Sequence, residues 1–257
     1  MLAKLTPNTQ IIGQNLIYFN QIDSSNDFAQ RLIQRQQAIH GTLIITDYQT
    51  KGRGQGSHIW QSEAKKNLLC SLILLPDTSI SDPFILNKAL AIALISTLSK
   101  YVDANQLKIK WPNDIYYQQS KLGGLLVENT FQGQGIKSSV MGFGINTHQH
   151  FQNTPFNAIA LQNIAQKPFS HEEIILSFLS AFEQLYHAIL QSVIGEINKR
   201  FDQLLFGYQT ANTFTIEGQN ISATIKGCDE HGRLILENKQ GQQTLYLHGQ
   251  ITQNIHE

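Results

Sequence analysis

Three hydrophobic patterns succeed one another along the chain. The first is the short continuous apolar run bounded by turn residues, as in TLIITDYQ (Thr42–Gln49) and LLCSLILL (Leu68–Leu75), which predicts buried strands. The second has helical spacing. After the extended piece NLIYF (Asn15–Phe19), Asp23, Ser24, Ser25 and Asn26 offer N-cap side chains, and Phe28/Leu32 and Ala29/Ile33 recur one turn apart. The run SDPFILNKALAIALISTLSKY is apolar almost all round. It predicts a buried helix capped by Ser81 or Asp82, with Pro83 in its first turn. Ser170 and Glu173 have capping-box spacing ahead of a long amphipathic helix, which Gly195 interrupts before EINKRFDQLLF. The third pattern begins after Gly207. Short alternating stretches are separated by turns at Gly218-Gln219, Asp229–Gly232 and Lys239–Gly241, which predicts a small β-barrel. The domain boundary is expected near Gly207–Ala211, with a main domain over 1–208 and a small one over 209–257.

The centre of the chain carries the most specific signal. An apolar strand ends at Trp111, Pro112-Asn113-Asp114 forms a corner, and a short hairpin arm leads to a return strand from Lys121. Gly123-Gly124 follows at once, leaving backbone without side chain beside the ammonium and carboxylate groups. The next strand, TFQGQGIKSSVMGFGIN, turns at Gly133/Gly135 and ends in Gly142, Gly144 and Asn146. The strand of Lys121 is therefore the middle of an antiparallel meander. The fold class expected is α+β, an antiparallel meander with a buried helix packed on the sheet.

Composition narrows the function. Of the 257 residues, 41% are hydrophobic and only 15% charged, with net charge zero. That balance gives no support for a protein bound to phosphate backbones. Cys70 and Cys228 are the only cysteines, a reduced, cytoplasmic pattern without a disulfide frame. The start MLAKLTPNTQIIGQ lacks the apolar core of a signal peptide. No apolar run reaches the roughly 20 residues that span a bilayer. His148 and His150 have metal-ligand spacing but no evident third ligand.

Between the two buried strands lies KGRGQGSHIW (Lys51–Trp60). A glycine loop after a strand suggests phosphate binding, yet a second strand follows it rather than a helix. Dinucleotide-binding and P-loop sites need a helix N-terminus there, and both are excluded. A ligand-binding loop carrying Arg53 and Trp60 remains.

Four sites, DSSN at Asp23–Asn26, KGRGQG with Trp60, KWPND followed by KLGGLLVE, and GFGIN at Gly142–Asn146, together resemble the biotin–protein ligase family over nearly the whole chain. The resemblance implies an α+β catalytic domain, a mixed and largely antiparallel sheet flanked by helices like that of class II aminoacyl-tRNA synthetases, plus a small C-terminal SH3-like β-barrel. The catalytic pattern begins near residue 15, so the short form without an N-terminal winged helix is expected, and no DNA partner is expected. The activity implied is ATP-dependent adenylation of biotin, then transfer of biotin to a lysine of a carboxylase's biotin carrier domain. Biotin is the substrate, ATP the co-substrate and Mg²⁺ the metal, with no prosthetic group. A homodimer is a family possibility.

Carried over residue by residue, Lys121, Arg53 and Asp114 are the catalytic set. Ser24, Ser25, Asn26, Gln49, Gly52, Arg53, Lys121, Gly124, Gly142 and Gly144 are implied to bind biotin. Arg53, Gln55, Trp60, Lys110, Asn113, Lys121 and Asn146 are implied to bind ATP. Trp60 is implied as a cover for the valeryl chain or the adenine. Asp114 is implied either to bind Mg²⁺ or to take the proton of the incoming lysine. At Gln55 the family usually has a second arginine, so looser retention of the adenylate is expected. The competing readings are a lipoate or octanoyl ligase or transferase of the same fold, and a non-catalytic, biotin-responsive binding protein.

Overall fold

The computed structural model describes residues 5–151 and 157–255. Its centre is a seven-stranded sheet built from β1 (Leu16–Phe19), β2 (Leu43–Thr46), β3 (Asn67–Leu74), β4 (Leu107–Lys110), β5 (Asp114–Tyr117), β6 (Ser120–Gln132) and β7 (Gly135–Asn146). The strand order is β1-β2-β3-β7-β6-β5-β4. Only β1 and β2 run parallel, so the sheet is mixed and largely antiparallel. β2 connects to β3 through the glycine loop without a helix, and β5, β6 and β7 form the meander with Lys121 on its middle strand.

Among the described residues four α-helices flank this sheet: α1 (Ser25–Gln34), α2 (Ile85–Leu98), α3 (His171–Leu190) and α4 (Gly195–Leu204). Strand alternation divides the helices between faces. Leu43, Ile45, Leu68, Leu72, Met141 and Phe143 join α2 and α3 in the large core. Ile44, Ile73 and Val140 point the other way and pack under Ala29, Phe28 and Leu32 of α1. The α1 face is covered only in part, and the site lies there.

The starts of α1 and α3 follow the cap chemistry and those of α2 and α4 do not: α4 has no side-chain cap at Ile194 and takes Gly195 as its first residue, so the break after α3 falls before that glycine rather than at it. Ser24 accepts from the Asp27 amide at 3.3 Å, and Ser170 with Glu173 closes a reciprocal capping box. α2 begins at Ile85, so Pro83 lies ahead of the helix rather than within its first turn. The cause is tertiary. The amide of Phe84 is held by Asp82 Oδ1 at 2.9 Å and by the carbonyl of Glu230 at 3.2 Å, and its ring packs edge-on against Phe201.

β8 (Ala211–Ile216), β9 (Gln219–Cys228), β10 (Leu234–Glu237), β11 (Gln243–Tyr246) and β12 (Ile251–Asn254) form a second, antiparallel sheet of order β11-β10-β9-β8-β12. Its first turn falls at Glu217-Gly218, one residue before the expected place, with both residues at positive φ. The second sheet shares its core with the first, through Phe214, Ile225 and Leu234. Trp111 Nε1 donates to the Gly232 carbonyl at 2.9 Å and fastens the two sheets at the edge of the site. No helix among the described residues is long and apolar enough to cross a membrane.

Candidate active site

The sheet registers bring the glycines together. Leu69 of β3, Gly144 of β7, Gly124 of β6 and Asp114 of β5 lie in one cross-strand row. Ser71, Gly142 and Leu126 form the next row. With side chains missing at three points, the strands form the floor of a cavity of about 500 Å³. That size suits a small-molecule site. The walls are the N-terminus of α1, the glycine loop, the β4–β5 corner and the second sheet.

One end is polar and buried. Ser24, Ser25 and Asn26 are at most 4% exposed. Gln49 Oε1 accepts from the Ser25 amide at 2.7 Å and from its hydroxyl at 3.0 Å. The Ser71 hydroxyl lies 2.7 Å from Ser25 Oγ and 2.6 Å from Asn26 Oδ1. A Cβ on Gly142 would run into the Asn26 amide, so this glycine is what gives Asn26 its place. The end presents donors and acceptors and no charge.

The other end is cationic. Lys121 Nζ stands 2.7 Å from Asp114 Oδ1 and 5.7 Å from the centre of the Trp60 ring. Its backbone is fixed on both sides, since its amide donates to the Asn157 carbonyl at 2.9 Å and its carbonyl accepts from Ile159 at 3.0 Å. Lys110 extends over the Tyr116 ring, and burial lowers its pKa. Asn113 turns the corner by exchanging hydrogen bonds with Leu125, at 2.7 Å from its amide nitrogen and 2.8 Å to its carbonyl. The Trp111-Pro112 peptide is cis.

The glycine loop forms the roof. Its base is closed by Trp60 N to Gly52 O at 3.1 Å and Gly54 N to His58 O at 2.8 Å. The Trp60 indole rests on the bare backbone of Gly144, where a Cβ would come within 2.6 Å of the ring, and it also touches Gly124. Trp60 Nε1 and Gln55 Oε1 are buried without a hydrogen-bond partner among the described residues. Arg53 reaches across the cavity mouth to Asp27 Oδ1 at 2.7 Å and Glu128 Oε1 at 2.8 Å. Burial works against its charge, and the two carboxylates more than offset that, leaving its pKa raised.

Of the residues singled out in the sequence, Ser24, Ser25, Asn26, Gln49, Arg53, Gln55, Trp60, Lys110, Asn113, Asp114, Lys121, Gly124, Gly142 and Gly144 all line this cavity. Two do not. Gly52 lies behind the loop, where a Cβ would strike the Trp60 carbonyl, and its part is to let the loop close. Asn146 is buried with its Nδ2 donating to the Lys121 carbonyl at 3.1 Å, so it supports that lysine from below. Cys70 borders the cavity, but burial drives its thiol pKa far up and keeps it protonated. His148 packs on Phe169 and His171. Among the described residues no three His, Cys, Asp or Glu side chains are grouped to hold a metal.

Several lining or supporting groups had not been singled out. Ser71 is the lone hydroxyl inside an apolar strand, a readable signal. Glu128 shares a face of β6 with Gly124 and Leu126, two residues apart each time, which period-2 reading could have found. His248, Thr252 and Gln253 come from the second sheet, and only the packing of the two sheets brings them to the cavity.

A seven-stranded mixed sheet with a glycine-floored cavity, Lys121 on the middle strand of its meander and an arginine-bearing glycine loop places the chain among the protein ligases. The chain belongs to the biotin/lipoate A/B protein ligase family, whose model matches residues 18–146. It is 29% identical over 243 residues to the bifunctional ligase/repressor BirA of Bacillus subtilis, an alignment covering 93% of this chain and 74% of that protein. It is 26% identical over 230 residues to biotin–protein ligase 2 of Arabidopsis thaliana, covering 87% and 65%. The biotin protein ligase of Aquifex aeolicus, solved with biotin and ATP, superposes with a TM-score of 0.74 at 23% identity, over 94% of this chain and 99% of that one. At that identity the superposition bears on the fold.

Proposed function

We propose that this chain is a biotin–protein ligase. It joins biotin and ATP to give biotinyl-5'-AMP and pyrophosphate, then passes the biotinyl group to a lysine of a carrier protein. The observation that carries the reading is one cavity with an uncharged hydrogen-bonding end at Ser25 and Gln49 and a cationic end at Lys121. Such a cavity suits a molecule with a neutral cyclic urea at one end and a carboxylate at the other.

In the first step a biotin carboxylate oxygen bonds to the α-phosphorus of ATP, and the bond to the β-phosphate breaks. Both reactants are anions. At about 4 Å and an effective dielectric of about 20 their repulsion is on the order of 4 kcal/mol. Lys121 lies on the strand floor between them and offsets it. In the second step the carrier's amine attacks the acyl carbon, the acyl–phosphate bond breaks, AMP leaves and the amine loses a proton. Asp114, already 2.7 Å from Lys121, holds that ammonium in place and is the acceptor at hand for this proton. Ser24, Ser25, Asn26 and Gln49 bind the ureido ring over Gly142. Trp60 covers the acyl chain above Gly124 and Gly144. Arg53, Gln55, Lys110 and Asn113 face the nucleotide, while Asn146 and Gly52 act from behind by fixing Lys121 and the loop.

Asp114 is engaged by Lys121, and among the described residues no second and third His, Cys, Asp or Glu side chain joins it to form a dedicated metal site. Mg²⁺ belongs to the MgATP substrate, held chiefly by its phosphates. The catalytic unit spans 1–208 and the small domain 209–257, a division supported by the second sheet's first strand at Ala211.

The test is incubation with biotin, MgATP and a biotin carrier domain, read by intact mass. Gain of one biotinyl group that requires both small molecules is expected. Modification with lipoate or octanoate in place of biotin would move the chain to the other branch of its family, and no modification would reject the reading.

A further inference from the structure

Ser71 stands one layer behind the polar end of the cavity, fully buried on β3 in the apolar stretch NLLCSLIL. Its hydroxyl oxygen lies 2.6 Å from Asn26 Oδ1 and 2.7 Å from Ser25 Oγ. Ser25 Oγ lies in turn 3.0 Å from Gln49 Oε1. Four oxygens thus stand in a row, Asn26 Oδ1, Ser71 Oγ, Ser25 Oγ and Gln49 Oε1, with three contacts between them. Burying a hydroxyl in such a strand is unfavourable unless it is hydrogen-bonded, and this one faces two oxygens.

The protons of this row can be counted. Its outer oxygens are amide carbonyls and bring none. Asn26 Nδ2 donates to the Leu126 carbonyl at 3.2 Å and to Glu128 Oε2 at 2.9 Å, so Oδ1 is the atom that faces Ser71. Gln49 Oε1 accepts from the Ser25 amide at 2.7 Å, which keeps Nε2 turned away from Ser25. Each hydroxyl supplies a single proton, so three contacts share two protons. Ser71 donates to Asn26 Oδ1, and its own oxygen is then an acceptor towards Ser25. The Ser25 proton turns to Ser71 at 2.7 Å rather than to Gln49 at 3.0 Å, since Gln49 already holds the Ser25 amide. That leaves Ser25 Oγ without a donor among the described residues, and Gln49 Oε1 with a lone pair to spare. Both residues line the cavity.

We propose, resting on the function assigned above, that Ser71 is a positioning residue that sets which ring the cavity accepts. By giving its proton to Asn26 and taking that of Ser25, it makes the Ser25–Gln49 end an acceptor of N–H groups. The ring urea of biotin brings such groups, whereas the dithiolane of lipoate and the tail of octanoate bring none. A buried acceptor left unpaired penalises a ring without N–H, which is how a hydrogen-bonding site discriminates. In Ser71→Ala the Ser25 proton goes to Gln49 Oε1 without competition, and an acceptor for the ligand is lost.

The experiment is calorimetric titration of the full chain with biotin and, separately, with lipoate taken to millimolar concentration. In Ser71→Ala biotin affinity should fall about tenfold, the scale of one net hydrogen bond, while lipoate affinity changes less than about twofold. Ser71→Cys keeps the volume with a weaker donor, should fall between, and serves alone if Ser71→Ala does not fold. In a Gln49→Ala background the Ser71 substitution should change biotin affinity less than about twofold, because its effect passes through Gln49. A disturbed sheet floor would weaken both ligands by the same factor and add its full loss to that of Gln49→Ala. Either result overturns the inference, as does an unchanged biotin affinity in the Ser71 variant. A wild type that binds no biotin, or binds lipoate as tightly, overturns the assigned function, and the inference falls with it.

Discussion

Lys121→Met removes the charge on which the first half-reaction depends and keeps most of the side chain's bulk. The repulsion then left unopposed between carboxylate and phosphate is about 4 kcal/mol at about 4 Å and a dielectric of about 20. That corresponds to about a thousandfold in rate, at 1.36 kcal/mol per factor of ten. A second effect adds to it. Asp114 now stands 2.7 Å from the ammonium, and in the variant it becomes an unpaired negative charge in the same cavity. The double variant Lys121→Met/Asp114→Asn should therefore recover about tenfold of the loss, worth the 1.36 kcal/mol of that conversion. Stability should hardly change, because both side chains are partly exposed, at 34% and 24%, and such pairs contribute about 1 kcal/mol or less. The assay is biotin-dependent exchange of labelled pyrophosphate into ATP, which reports adenylation alone, alongside the melting temperature. A fall of less than tenfold in a folded variant would refute the reasoning, and so would an unchanged rate in the double variant relative to the single.

Three further outcomes follow from particular contacts. Gly142→Ala places a methyl group against the Asn26 amide, which Ser71, Leu126 and Glu128 hold in place, so biotin affinity by calorimetry should fall about tenfold or more, at least ~1.4 kcal/mol. Gln55→Arg adds a second guanidinium to the roof, and the off-rate of biotinyl-adenylate should slow by about tenfold, the strength of one charge-assisted contact; an unchanged off-rate would show that Gln55 does not loosen retention. The Glu183 carboxylate on α3 is buried. It accepts from the amides of Gln10, Ile11 and Ile12 at 2.8–3.0 Å, and Glu183→Gln should cost about 2 kcal/mol, lowering the melting temperature by about 4–8 °C. Burial alone would raise the Glu183 pKa, but those amides outweigh it and hold it below the ordinary value. Its stabilisation is therefore complete above the unfolded glutamate pKa of about 4.3 and lost as pH falls through the lower folded value. Melting curves of the variant should lack that acid-side loss.

What could be read from the chain was what local physics decides. The Ser170–Glu173 box, a helix start within Asp23–Asn26 and the meander around Lys121 each rest on a few neighbouring residues. The absence of a helix after the glycine loop was enough to exclude a dinucleotide site. What escaped depends on contacts between distant segments. Phe84 is drawn to Glu230 of the second sheet, and α2 starts late. Trp60 settles on Gly144, and Asn146 lies beneath the floor, hydrogen-bonded to the Lys121 carbonyl. The partners of Arg53 sit on α1 and β6, far apart in sequence, and no spacing rule links them. His248 and Gln253 reach the cavity only because Trp111 fastens the second sheet beside it.

The most direct test of the central claim needs no carrier. The chain is mixed with biotin and MgATP, freed of small molecules, and its bound nucleotide is identified by mass spectrometry. Retained biotinyl-5'-AMP, formed by the wild type and absent with Lys121→Met, is the predicted result. A wild-type chain that carries no acyl-adenylate, or one that forms it from lipoate or octanoate in preference to biotin, would contradict the account.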